Sequence, residues 1–119
     1  MHGARVALAE DCAGESAPDA DAIVSALAGI PIGVVTADCV PILAASEDGR
    51  AVAAIHAGWR GLASGVIAAG IEALHSQAGS AQRLVAVIGP HIGACCYEID
   101  EPVLAALAPI YRGELEAAL

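Results

Sequence analysis

Phenylalanine is absent from this sequence of 119 residues, and aromatic residues make up only 3% of it, with Trp59 the single tryptophan. The hydrophobic fraction of 57% is therefore carried by Ala, Val, Ile and Leu. Small side chains bury little area each, and at about 25 cal/mol per Å² such a core is weaker than its percentage implies. That leaves room for a missing portion or for a partner subunit, as in a homo-oligomer. Positive charge is scarce as well: five basic residues stand against 14 acidic ones, for a net charge of -9. A chain so acidic repels polyanions, which argues against nucleic acid and against anionic membrane surfaces as partners. A small anion held by one or two arginines stays open.

Long apolar runs are also lacking. No segment approaches the ~20 residues of a membrane span, and Met1 to Arg5 does not carry the charged-then-apolar pattern of a signal peptide. The expectation is a cytoplasmic protein with no membrane partner. In that compartment the four cysteines, Cys12, Cys39, Cys95 and Cys96, are thiols or ligands rather than disulfides.

Residues 1–119 are short enough for one domain. Arg5 to Ala9 reads as a strand and Glu10 to Asp19 as a loop. Asp21 to Ala28 is ambiguous, either a helix capped by Asp21 or a strand through Ile23 and Val24. Ile32 to Thr36 and Val40 to Ala45 read as one long buried strand, bent at Asp38-Cys39, with Pro41 at an irregular hydrogen-bond position. Ala51 to His56 returns antiparallel to it after the polar turn Ser46-Glu47-Asp48-Gly49-Arg50. Leu62 to about Gln77 has helical spacing of Leu62, Val66, Ile67, Ile71 and Leu74, weakened by Gly65 and Gly70. Leu84 to Ile88 reads as another buried strand, Cys95 to Ile99 as a short extended piece, and Asp100 as the cap of a last helix carrying Pro102 in its first turn. The fold class is mixed α/β, a layered sheet core with helices packed outside.

The hairpin brings Cys39 and His56 to the same end of a strand pair. One thiol and one imidazole on a stiff scaffold are half of a zinc site or half of a Cys/His nucleophilic pair.

Four stretches then fall into a known pattern: the opening His2-Gly3, Thr36 to Leu43, Ile55 to Gly61, and Ile88 to Ile99. In order and spacing they resemble the YfiH/YlmD family, also called the laccase-domain or polyphenol oxidase family and regarded as purine nucleoside phosphorylases. The resemblance implies a mixed β-sandwich and a zinc ion held by His2, Cys39 and His56. Two imidazoles and a thiolate suit zinc, and an open fourth position activates a water or holds a substrate group. The implied activities are phosphorolysis of adenosine, inosine, guanosine or methylthioadenosine, and deamination of adenosine. Purine nucleoside and phosphate are the implied partners. Arg60, flanked by Gly58 and Gly61 at a helix start, is the candidate phosphate holder. Asp38 is the candidate that orients a ligand or serves as acid and base. Family members run to about twice this length, so the chain reads as a partial domain that begins almost on its first ligand motif.

Blander readings stand beside these. Arg60 is also suited to a surface carboxylate, Trp59 to packing, and the glycine-flanked His91 to a plain turn. Cys95 and Cys96 in an extended segment would point to opposite faces, and His75 and Cys12 have no assigned role. Rival functions are a copper polyphenol oxidase, a peptidoglycan-editing amide hydrolase and a non-catalytic fragment. Multicopper chemistry needs many more imidazoles than the four in this chain.

Overall fold

The two apolar runs flanking the polar turn form an antiparallel pair, β3 (Val40–Ser46) and β4 (Val52–Ala57), with Pro41 opposite His56 and Leu43 opposite Ala54. The structure, a computed structural model, describes residues 3–12 and 19–110. The turn between the strands is held by side chains. Ser46 Oγ donates to Asp48 Oδ1 at 2.7 Å and accepts the N–H of Ala51 at 3.1 Å, while Gly49 supplies φ +75°.

Three more strands complete one mixed sheet in the order β1-β2-β4-β3-β5, where β1 is Val6–Leu8, β2 is Ala22–Ser25 and β5 is Leu84–Ile88. The ambiguous segment after Asp21 is a strand because both of its edges are used: β1 pairs parallel to it on one side and β4 antiparallel on the other. The ladder also shortens the long strand expected before Asp38. Residues 32–36 are not a strand, since β4 ends at Ala57 opposite Val40 and β5 ends at Ile88 opposite Ile42, leaving their N–H and C=O groups no neighbouring strand among the described residues.

The expected single helix is two, α1 (Trp59–Ser64) and α2 (Val66–Ala78), divided at Gly65 in a left-handed conformation, φ +86°. α2 lies on one face of the sheet. Its Val66 packs with Ala22, Ile42 and Ile55, and its Leu74 with Val24, Ala44 and Ala53. Gly70 lets the helix come down close, because a Cβ there would stand 2.7 Å from Ile55 Cδ1. α3 (Glu101–Leu107) buries Val103 and Leu107 and packs against α1.

The described helices cover only one side. On the other, Leu43, Val52, Val85 and Val87 are exposed and, with Ile30 and Pro31, line an apolar groove of about 390 Å³. Val85 and Val87 of β5, a strand expected to be buried on both faces, are therefore 59 and 61% exposed, since no layer among the described residues covers them, and Ile88, on the opposite face of this edge strand, is 63% exposed as well. No described helix is long and apolar enough to cross a membrane.

Candidate functional site at the end of the central strands

His56 is the last but one residue of β4 and is buried. Its backbone N–H donates to the Asp21 carbonyl at 2.7 Å, which places the Asp21 side chain beside the imidazole. The Asp21 carboxylate is itself buried and works in two directions. Oδ2 accepts the N–H of Gly3 at 2.8 Å, and Oδ1 lies 3.4 Å from His56 Nδ1, a loose contact rather than a short hydrogen bond. With Nδ1 turned to the carboxylate, Nε2 is the nitrogen that faces away from Asp21.

Gly3 is gripped from the opposite side as well. A Cβ on Gly61, in α1, would sit 2.9 Å from the Gly3 carbonyl oxygen, so that contact requires a residue without a side chain. His2, the expected third ligand, lies outside the described residues, but its neighbour Gly3 is fastened to the carboxylate that backs His56.

Cys39 occupies a bend just before β3. Val40 pairs with Ala57, so Cys39 stands one residue beyond the last rung, at the end of the ladder that carries His56. It is half-buried and unoxidised. Asp38 is exposed and its carboxylate has no partner among the described residues, while its carbonyl accepts the N–H of Ile92 at 3.0 Å. That bond ties the Asp38-Cys39 bend to the 89–93 loop. His91 in this loop is exposed and turns Nδ1 back to the Ile92 carbonyl at 2.8 Å.

Arg60 is elsewhere. Its guanidinium stacks 4.3 Å above the Trp59 ring, with no carboxylate partner among the described residues. Both side chains border a cleft of about 540 Å³ shared with Tyr97, Asp100 and Pro102. Neither Cys39 nor His56 lines that cleft, so the structure does not gather the candidate anion holder and the candidate metal ligands into one cavity.

No group of three or more His, Cys, Asp or Glu side chains suited to a metal occurs among the described residues. What is described is a thiol and an imidazole backed by a buried carboxylate. That donor chemistry fits zinc, which takes nitrogen and sulfur ligands and whose histidines ordinarily pass their second nitrogen to a carboxylate or carbonyl. Asp21 is the residue that sequence reasoning missed. Its only visible signal was as a helix cap, and its place opposite His56 depends on the pairing of β2 with β4.

The fold and the site thus define a mixed α+β protein with a thiol and a carboxylate-backed imidazole at one end of its central strands. Residues 1–115 match the family model described as multi-copper polyphenol oxidoreductase laccase, and the chain belongs to that family. It is 39% identical over 111 residues to a protein of Streptomyces coelicolor named purine nucleoside phosphorylase, covering 92% of this chain and 46% of the relative. It is 42% identical over 86 residues to a protein from an unknown prokaryotic organism named adenosine deaminase RL5, covering 72% of this chain and 33% of the relative. Among solved structures, a Neisseria meningitidis protein superposes with a TM-score of 0.78 at 38% identity, covering 92% of this chain and 44% of that one. YlmD from Geobacillus stearothermophilus superposes with a TM-score of 0.76 at 29% identity, covering 96% and 46%. The chain spans about half the length of the relatives it matches.

Proposed function

We propose that this chain carries the metal-binding half of a zinc-dependent purine nucleoside phosphorylase that also deaminates adenosine. The observation that carries the reading is the Asp21 carboxylate, which joins the imidazole of His56 to the backbone beside His2, at the sheet end where Cys39 stands. The names of the relatives supply the substrate class. Zinc held by His2, Cys39 and His56 would supply Lewis acidity and lower the pKa of a water at its open position.

In phosphorolysis a phosphate oxygen attacks the anomeric carbon of the ribose, the bond to the purine nitrogen breaks, and the base leaves with a proton. Arg60 holds the phosphate anion, its guanidinium braced on Trp59 and its charge not spent on a described carboxylate. Asp38, exposed at the bend next to Cys39, orients the nucleoside or serves as the acid and base that relays the proton of the departing base. In deamination a water adds at the purine carbon and ammonia leaves, with Asp38 moving the proton. Cytoplasmic residence suits nucleoside and phosphate as substrates.

Phosphate-dependent release of hypoxanthine and ribose 1-phosphate from inosine, together with zinc by elemental analysis, tests the reading. Base release that does not depend on phosphate, or equal zinc in the wild type and Cys39→Ala, would overturn it. Copper in place of zinc, with oxidation of phenols, would restore the activity in the family's description.

A further inference from the structure

We propose that Cys95 and Cys96 form a redox-active vicinal dithiol, a modification site that closes to a disulfide by exchange with a low-molecular-weight disulfide. Adjacent residues of an extended segment cannot meet, but residues 94–96 are a turn. The N–H groups of Cys96 and Tyr97 both donate to the Gly93 carbonyl, at 3.1 and 3.2 Å, and this winds the backbone tightly enough to bring the two side chains together. The sulfurs are 2.7 Å apart, and both residues are exposed and reduced. No other pair of cysteines shares this arrangement, since Cys12 and Cys39 are each half-buried and Cys12 donates to the Leu8 carbonyl.

The hydrogen bond to Cys95, with some help from burial, holds the Cys96 thiol above its usual range. Either sulfur can donate in that hydrogen bond, and with the Cys96 thiol held up, Cys95 is taken as the attacking group. Its thiolate displaces one thiolate from the small disulfide, forming a mixed disulfide. The Cys96 sulfur, losing its proton to solvent, then attacks Cys95 Sγ and expels the second small thiol. Two protein thiols are oxidised by two electrons, and one small disulfide is reduced to two thiols. Consecutive Cα atoms are only about 3.8 Å apart, shorter than the 4.4 to 6.8 Å usual across a disulfide, so the ring is strained and readily reduced. It is a reversible modification rather than a structural staple. Tyr97, the next residue, borders the cleft that holds Arg60 and Trp59, so the ring forms at the margin of that cleft.

Treatment of the purified full chain with excess oxidised glutathione, followed by intact mass and peptide mapping, tests this. The wild type is expected to lose about 2 Da, the two thiol hydrogens, within the peptide that holds Cys95 and Cys96, and to regain it with a dithiol reductant. Cys95→Ser and Cys96→Ser should each instead retain one glutathione on the remaining thiol. Stoichiometric capture of phenylarsine oxide by the reduced wild type, and by neither variant, is the second expected result. A wild type that retains glutathione at these positions, forms its disulfide through Cys12 or Cys39, or does not react overturns the proposal.

Discussion

Asp21 shows how much a single buried carboxylate can organise. It accepts from Gly3, contacts His56 and takes the His56 N–H on its carbonyl, so one residue joins three parts of the chain distant in sequence. If it positions a zinc ligand, Asp21→Asn keeps the volume but weakens the pull on Nδ1. Zinc affinity, read by competition with a chelator, should fall about 10- to 100-fold. Unchanged affinity would reduce Asp21 to a fastener of the leading segment. Asp21→Ala should in addition leave the Gly3 N–H without its partner, at about 1 to 3 kcal/mol of stability in urea. Cys39 and His56 were legible as a pair because a hairpin carries them, whereas nothing local in the sequence ties Asp21 to either.

At the scale of elements, the β3–β4 hairpin is the best specified part of the chain. Ser46 is buried and serves as donor to Asp48 and acceptor for Ala51, and this bond, then one from the Arg50 N–H, holds the Asp48 carboxyl below the ordinary carboxylate range. The sign follows directly. A folded-state pKa below the unfolded one means that the stabilisation is present above the unfolded value and is lost as pH falls through the lowered one. Ser46→Ala should return the Asp48 titration, followed by NMR, toward its usual position. It should also destabilise the hairpin by about 1 to 3 kcal/mol, because the Ala51 N–H loses an acceptor. An Asp48 titration unmoved by the substitution would assign the lowering to Arg50 instead. The helix expected over Leu62 to Gln77 was legible by period, but its division was not, since Gly65 is tolerated in many helices and here turns left-handed between α1, which packs on α3, and α2, which packs on the sheet.

For the whole molecule, the uneven cover of the sheet is the dominant feature. α2 packs over strands β1 to β4 on one face while Leu43 and Val87, 57% and 61% exposed, stand on an apolar groove on the other. Soluble monomers rarely leave such a patch open. The chain alone should therefore associate at raised concentration by light scattering, and Leu43→Lys with Val87→Lys should suppress it. Because both side chains are more than half exposed, the melting temperature should change little. A wild type that stays monomeric across the same range would remove the expectation of a homo-oligomer. The run Leu84 to Ile88 reads the same whether one face or two is covered, so its exposure was not legible from the sequence.

The sequence by itself determined the strand pair, its turn, the last helix and the end of the sheet at which Cys39 and His56 stand. These depend on apolar period, turn residues and chain neighbours, all of which are local. Tertiary structure decided the rest. The placing of Asp21 against Gly3 and His56, the loss of strand at residues 32–36 and the bare face of the sheet each depend on which groups find a partner or a cover. That is settled by pairing and cover between segments distant in the chain, which no local pattern records.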